Sequence, residues 1–122
     1  PARCKPSAPV GFLQVHGTTD QTVLFAGEGG DGGLGGAYPG ADTTVAIWAD
    51  KNGCAKAPVA GQPIHVDSSK AGAETRVTRR DGCAKNGAAE LWAIEGAGHL
   101  FSYTPEALRA TWDFLEAHAK SR

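Results

Sequence analysis

The stretch VGFLQVHGTTD, Val10 to Asp20, decides how the chain is read. Val10, Phe12, Leu13 and Val15 form an apolar run of strand length, and Gly17, Thr18, Thr19 and Asp20 supply turn chemistry that ends it at a carboxylate. By itself this is a core strand followed by an Asx-type turn. A second unit of the same form lies downstream. AAELWAIEGAGH, Ala88 to His99, has Leu91, Trp92 and Ile94 at its apolar centre and leaves through Gly96, Ala97 and Gly98 to a histidine. Two buried strands, each ending at a side chain that can hold or move a proton, frame everything between and after them.

Working outward, Pro1 to Pro9 holds three prolines and reads as an extended connector into the first strand. After Asp20, Val23 to Phe25 are expected to continue as a short extended piece. Gly27 to Gly40 has eight glycines in fourteen positions, which predicts a surface loop of the kind that borders substrate grooves. It neither repeats like a calcium-binding nonapeptide nor leads a strand into a helix like a phosphate loop. Asp42 is the expected N-cap of a helix over Thr43 to Asn52, with Val45, Trp48 and Ala49 on one face and Gly53 as the left-handed residue that ends it. Pro58 to Pro63 reads as irregular. Ile64 to Asp67 and Glu74 to Arg79 read as a small edge hairpin with wet faces. Thr104 as N-cap and Pro105 at N1 open a final amphipathic helix, down which Leu108, Trp112 and Leu115 share a face with Phe114 beside them. The order of strand, helix, minor hairpin, strand and helix predicts α/β architecture with a parallel sheet.

A chain of 122 residues has the length of one domain, and its net charge is -1. Lys and Arg are scattered apart from Arg76, Arg79 and Arg80, a cluster that reads as a solvated edge, so no basic stripe offers itself to nucleic acid. The longest apolar runs fall short of the ~20 residues a membrane span needs, and no charged-then-apolar leader opens the sequence, which is read as soluble with no membrane partner. The sequence starts at Pro1 and has no Met, so a processed precursor or a longer parent chain is expected. Of the three cysteines, Cys54 follows a helix C-cap and Cys83 sits in a Gly-flanked turn. A bridge between them would contribute roughly 3 to 4 kcal/mol in the chain-entropy account. Cys4 is then left to a partner elsewhere. Three reduced thiols is the competing reading. No C-x-x-C and no close histidine pair marks a zinc site, none of His16, His65, His99 and His118 stands at ligand spacing, and no cofactor is implied. His16 is expected buried at the strand end and His118 exposed on the last helix.

In parallel α/β sheets ligands bind outside the carboxyl ends of the strands, which is where Asp20 and His99 stand. An aspartate facing a histidine is what nucleophilic acyl transfer uses: the carboxylate fixes the imidazole through Nδ1 and leaves Nε2 to take a proton from a nucleophile. At these residues the chain resembles a known family. HGTTD at His16 to Asp20 and EGAGH at Glu95 to His99 are similar to the acid and histidine motifs of α/β-hydrolases. More narrowly, AYPGADTTVAIWADKNGC at Ala37 to Cys54 and Cys83 ahead of Glu90 to Trp92 resemble the C-terminal part of secreted esterases of the polyhydroxybutyrate depolymerase or feruloyl esterase type. The likeness runs from Cys4 to Leu115. It implies that Asp20 is the triad acid, that His99 is the triad base, and that Cys54 pairs with Cys83. After His99 the chain reads Leu100, Phe101, Ser102 where many relatives carry an aromatic followed by proline, which makes Leu100 and Phe101 the candidate lining of the substrate pocket.

In α/β-hydrolases the nucleophile precedes the acid in the chain, within a G-x-S-x-G elbow. The only serine before Asp20 is Ser7, among prolines that cannot form a strand-to-helix turn, and Ser68, Ser69, Ser102 and Ser121 come too late. The expectation is therefore the C-terminal segment of an α/β-hydrolase catalytic domain, its last two parallel strands with flanking helices and a small hairpin. The nucleophile then lies on the N-terminal part of the same enzyme, where Cys4 also finds its partner. The expected activity is a secreted serine esterase acting on feruloyl, acetyl or hydroxyalkanoate esters, polymeric ones among them. The alternative is a non-catalytic binding or scaffold domain with hydrolase-like strands.

Overall fold

A computed structural model describes residues 4–29 and 36–119 of the chain. The middle of the glycine-rich loop, residues 30–35, lies outside the described residues, as does the start of the proline-rich connector. The elements are β1 (Gly11–Gly17), β2 (Gly27–Glu28), β3 (Tyr38–Pro39), α1 (Ala41–Lys51), β4 (Pro58–Ala60), β5 (Thr75–Arg80), β6 (Ala88–Ile94) and α2 (Pro105–Ala117). Strands β1, β6, β5 and β4 form one sheet in that order, and β2 pairs with β3 in a separate two-stranded ribbon.

β1 and β6 run parallel in continuous register from Gly11 opposite Ala88 to Gly17 opposite Ile94. β5 and β4 then continue the sheet antiparallel, so it is mixed rather than wholly parallel. The α/β content is as expected; the placement of β5 is not. Thr75 and Val77 are buried, Ile64 meets Thr75 only through an isolated bridge, and the outer strand is Pro58–Ala60, from the stretch read as irregular. The alternation of β5 was legible, but its inward side chains pack on Trp92, Ile94 and Val66, so only its other face is wet.

β6 is buried along nearly its whole length because both faces are covered. Ala89, Leu91 and Ala93 pack beneath Ala41, Val45 and Ala49 of α1, whereas Trp92 and Ile94 pack with Val66, Val77 and Ala107 on the opposite face. Trp48 is half-buried on α1 and stacks on Phe12 of β1 with ring centroids 5.0 Å apart. The N-cap of α1 is Gly40 rather than Asp42, which falls in the first turn. The helix starts early because Ala41 is anchored to the preceding loop, its N–H donating to Phe25 O at 2.8 Å. Val23 to Phe25 form turns rather than an extended piece, for a reason that appears at Asp20 below.

Two cross-links hold the lower end of the parallel pair. The Cys54–Cys83 disulfide joins the exit of α1 to the turn before β6 across 29 positions. Asn52, 1% exposed, accepts Val10 N–H at Oδ1 (2.9 Å) and donates from Nδ2 to Val10 O (2.7 Å) and Ala88 O (2.8 Å). One amide thus ties the starts of both strands whose ends carry the candidate site. Cys4 is exposed and outside any disulfide among the described residues.

α2 opens as expected, with Thr104 Oγ1 accepting Ala107 N–H at 3.0 Å and Pro105 in the first turn. Its buried residues are Ala107 and Phe114. Leu108 and Trp112 are 58% exposed and Leu115 55%, so much of its apolar face has no cover among the described residues.

Candidate active site

The site forms where the two parallel strands stop. Past Gly17, Thr18 N–H donates to Ile94 O (3.0 Å), and Thr19 gives both its N–H (3.0 Å) and its hydroxyl (2.9 Å) to Ala97 O. In return, Thr18 Oγ1 accepts Gly96 N–H at 2.9 Å. Gly96 takes φ +68°, the left-handed turn expected of a glycine on the way to His99. These bonds lace the exit of β1 to the exit of β6, which fixes Asp20 against His99.

Asp20 uses its two oxygens for different work. Oδ1 accepts Thr22 N–H (2.8 Å) and Val23 N–H (2.9 Å), an Asx-type arrangement that curls residues 21–26 into turns. Oδ2 meets His99 Nδ1 at 2.9 Å across 79 positions of sequence. The Asp20 side chain is 4% exposed and that of His99 47%. Burial, the largest influence on the carboxyl, works to raise its pKa. The hydrogen bonds from His99, Val23 and Thr22 and the charge of His99 outweigh it and hold the pKa at about 2. The carboxylate is thus ionised throughout the physiological range and accepts a hydrogen bond from Nδ1–H of His99, which leaves Nε2 without a hydrogen-bond partner among the described residues.

His16 lies at the same carboxylate, buried as expected. Its Nε2 is 2.8 Å from Val23 O and 3.3 Å from Asp20 Oδ2, Gln14 Nε2 reaches its Nδ1 at 3.2 Å, and its ring meets Phe25 edge-on at 5.4 Å. A depression of about 250 Å³ opens over these groups, with Gln14, His16, Asp20, Val23, His99 and Phe101 among its walls and, among the described residues, no hydroxyl or thiol side chain lining it. Of the two candidate pocket residues, Phe101 lies in this wall, tilted against Tyr103 with centroids 5.1 Å apart, whereas Leu100 is 89% exposed and outside it.

The far side of the His99 loop is held by a group that the sequence reading passed over. Glu74 Oε1 accepts Val66 N–H (2.9 Å), Asp67 N–H (2.8 Å) and the Thr75 hydroxyl (2.9 Å), and Oε2 meets His65 Nδ1 at 2.7 Å. Burial again works to raise the pKa, and the bonds from Asp67, His65 and Val66 overcome it to hold Glu74 at about 2. The Glu74 hydrogen bond in turn raises that of His65. The segment so fixed is stitched to the end of the His99 loop: Ser68 N–H donates to Ser102 O (2.8 Å), Thr104 N–H to Val66 O (2.9 Å), and the Thr104 hydroxyl to His65 O (2.6 Å). A glutamate opening an alternating strand carries no sequence signal of this role.

Of the four histidines, the structure gathers His16 and His99 around Asp20, while His65 pairs with Glu74 and His118 packs on Phe114 at the end of α2. Among the described residues no group of three or more His, Cys, Asp or Glu side chains could hold a metal ion. Gly17 is the other residue whose role escaped the sequence. A Cβ there would fall 2.3 Å from Ala97 O and 2.5 Å from Gly98 O, so a bare backbone is needed where the two exits cross. Comparison of the chain with protein-family models, with curated proteins and with solved structures finds no match.

Proposed function

We propose that this chain supplies the acid and the base, Asp20 and His99, of a serine-type carboxylic ester hydrolase, and that the N-terminal part of the same enzyme supplies the nucleophile. The observation that carries the reading is the 2.9 Å contact between His99 Nδ1 and a buried carboxylate, with Nε2 left open over a depression. In the reaction, His99 Nε2 takes the proton of the serine hydroxyl as its oxygen attacks the ester carbonyl, and passes that proton to the departing alcohol. Water then repeats the attack on the acyl-enzyme with His99 again as base, releasing the acid and restoring the serine. Asp20 keeps the ring in the Nδ1–H tautomer and stabilises the imidazolium, without itself taking the proton. The substrate class, feruloyl, acetyl or hydroxyalkanoate esters including polymeric ones, follows from the family resemblance of the two motifs and of the segment at Ala37 to Cys54.

The need for a companion is supported by two open surfaces. β1 is the outer strand of the sheet and has no partner on its free edge among the described residues. Beside it a groove of about 350 Å³ runs between β1 and α2, lined by Phe12, Leu13, Val15, Leu108, Phe114 and Leu115. A parallel strand with an uncovered edge and an apolar helix face next to it is a core cut open. The Cys54–Cys83 bridge is compatible with an oxidising, extracellular setting, and among the described residues no helix is long and apolar enough to cross a membrane.

That no hydroxyl or thiol among the described residues lines the depression favours one competing reading, a non-catalytic binding or scaffold domain. Turnover of a chromogenic acetate or ferulate ester by the intact enzyme separates the two. The hydrolase reading predicts that His99→Ala abolishes it, and retained turnover rejects the assignment. A G-x-S-x-G segment encoded upstream of Pro1 supports the enzyme, and a true start at Pro1 supports the scaffold.

A further inference from the structure

The carboxylate that holds His99 carries a second imidazole. Asp20 Oδ2 is shared: His99 Nδ1 lies 2.9 Å from it and His16 Nε2 3.3 Å. Both atoms that face His16 Nε2, Asp20 Oδ2 and Val23 O, are acceptors, so a ring bearing one proton bears it there. Its bare Nδ1 then requires a donor, which is Gln14 Nε2 at 3.2 Å. The requirement is strong enough to leave Gln14 Oε1 buried without a partner among the described residues, although a turned amide would place oxygen against the bare nitrogen. The edge of Phe25 fixes the remaining freedom of the ring.

We propose that His16 is a positioning residue for the Asp20–His99 pair: its Nε2–H is bonded to Val23 O, which holds the turn whose N–H groups tie Oδ1, and the ring lies against Oδ2 so that Oδ2 stays aligned on His99 Nδ1. Oδ1 is tied by two backbone N–H groups, which fix one oxygen but not the rotation of the other about it. The His16 ring, fixed by Val23 O and standing 3.3 Å from Oδ2, supplies that second restraint. Its part in turnover rests on the hydrolase reading; its part in the geometry does not.

Two variants and one spectrum test this. His16→Phe keeps an aromatic ring without a donor, and His16→Gln returns an N–H near the place of Nε2. In the intact enzyme His16→Phe lowers kcat by roughly tenfold or more with KM unchanged, and His16→Gln recovers most of it. Equal losses in the two variants, or full kcat in a folded His16→Phe, overturn the proposal. In the intact protein the imidazole nitrogen spectrum reads the geometry without substrate. The wild type shows His16 protonated at Nε2 and a protected His99 Nδ1–H resonance, which His16→Phe exposes to exchange and His16→Gln retains. A His16 ring protonated at Nδ1 alone, or a His99 resonance indifferent to His16→Phe, overturns the proposal even if neither variant is active. Full turnover by His99→Ala would remove the hydrolase reading instead, and the resonances would still decide whether His16 positions the pair.

Discussion

Gly17→Ala places one methyl group where the exits of β1 and β6 cross, and its consequences can be worked through from the contacts. The new Cβ would lie 2.3 Å from Ala97 O, 2.5 Å from Gly98 O and 2.7 Å from Ala97 C, all of them backbone atoms that no rotamer change can move aside. Restoring even a 3.0 Å separation requires the strand end or the His99 loop to retreat by roughly 0.7 Å. Ala97 O is also the acceptor of Thr19 N–H and Thr19 Oγ1, so the retreat stretches both bonds. Overpacking of this kind costs about 1 to 3 kcal/mol, and the strained hydrogen bonds place Gly17→Ala toward the upper end. At about 2 to 4 °C per kcal/mol for a domain larger than this chain, that lowers Tm by roughly 5 to 10 °C. The same displacement falls on the loop that carries His99 two residues further on, where the contact to Asp20 has little slack at 2.9 Å. A misplacement approaching 1 Å at a catalytic base costs on the order of a hundredfold in rate. Differential scanning calorimetry of the intact protein reads the first effect and, on the proposed hydrolase function, its ester turnover reads the second. A Gly17→Ala protein with wild-type Tm and wild-type kcat would refute the claim that the two exits are packed backbone to backbone.

Asn52→Leu leaves Val10 N–H without its partner and takes one donor each from Val10 O, which keeps Ala88 N–H, and from Ala88 O, and should lower stability by about 1 to 3 kcal/mol in urea titration; a loss below about 1 kcal/mol would mean that water replaces the amide. Asp20 and Glu74 have folded pKa values of about 2 against 3.8 and 4.5 in the unfolded chain, so each contributes stability that is fully present above the unfolded value and lost as pH falls toward 2. At about 1.4 kcal/mol per unit this is roughly 2 to 4 kcal/mol apiece, and Glu74→Gln should flatten the acid limb of a stability-against-pH curve. His65, raised above 6.5, acts in the opposite sense: its contribution is complete below that pH and is lost as pH rises through the folded value. Removing the Cys54–Cys83 bridge, which closes 29 positions, should cost roughly 3 to 4 kcal/mol, read as a shift in the denaturation midpoint between Cys54→Ala/Cys83→Ala and the parent protein.

The parts of the fold that were legible are those whose signal is local. The apolar runs at Val10 to Val15 and Leu91 to Ile94 belong to the parallel pair, β6 buried on both faces and β1 partly buried, and Thr104 with Pro105 marks a helix start in any context. Strand direction is not local: alternation in Thr75 to Arg80 suits an edge or an interior strand equally, and burial of Thr75 and Val77 depends on Trp92 and Val66, far away in sequence. β4 is a three-residue strand opened by a proline, which carries almost no pattern of its own. At the site, the geometry of Asp20 and His99 followed from two strand exits. Asn52, Gly17 and Glu74 did not show, because a helix-ending Asn, a turn Gly and an exposed-looking Glu are common, and only the partners they meet make them matter. The turn at Val23 to Phe25 does not show for a related reason: Asp20 suits a turn and a histidine partner alike, and each of its two oxygens serves one of them.

The central claim is that His99 activates a serine carried by the companion part of the same enzyme. Labelling the intact enzyme with a fluorophosphonate probe and mapping the modified peptide tests it most directly. The account predicts a single modified serine outside residues 1–122, and loss of labelling in His99→Ala. Absence of any label, or labelling undiminished by His99→Ala, would contradict it.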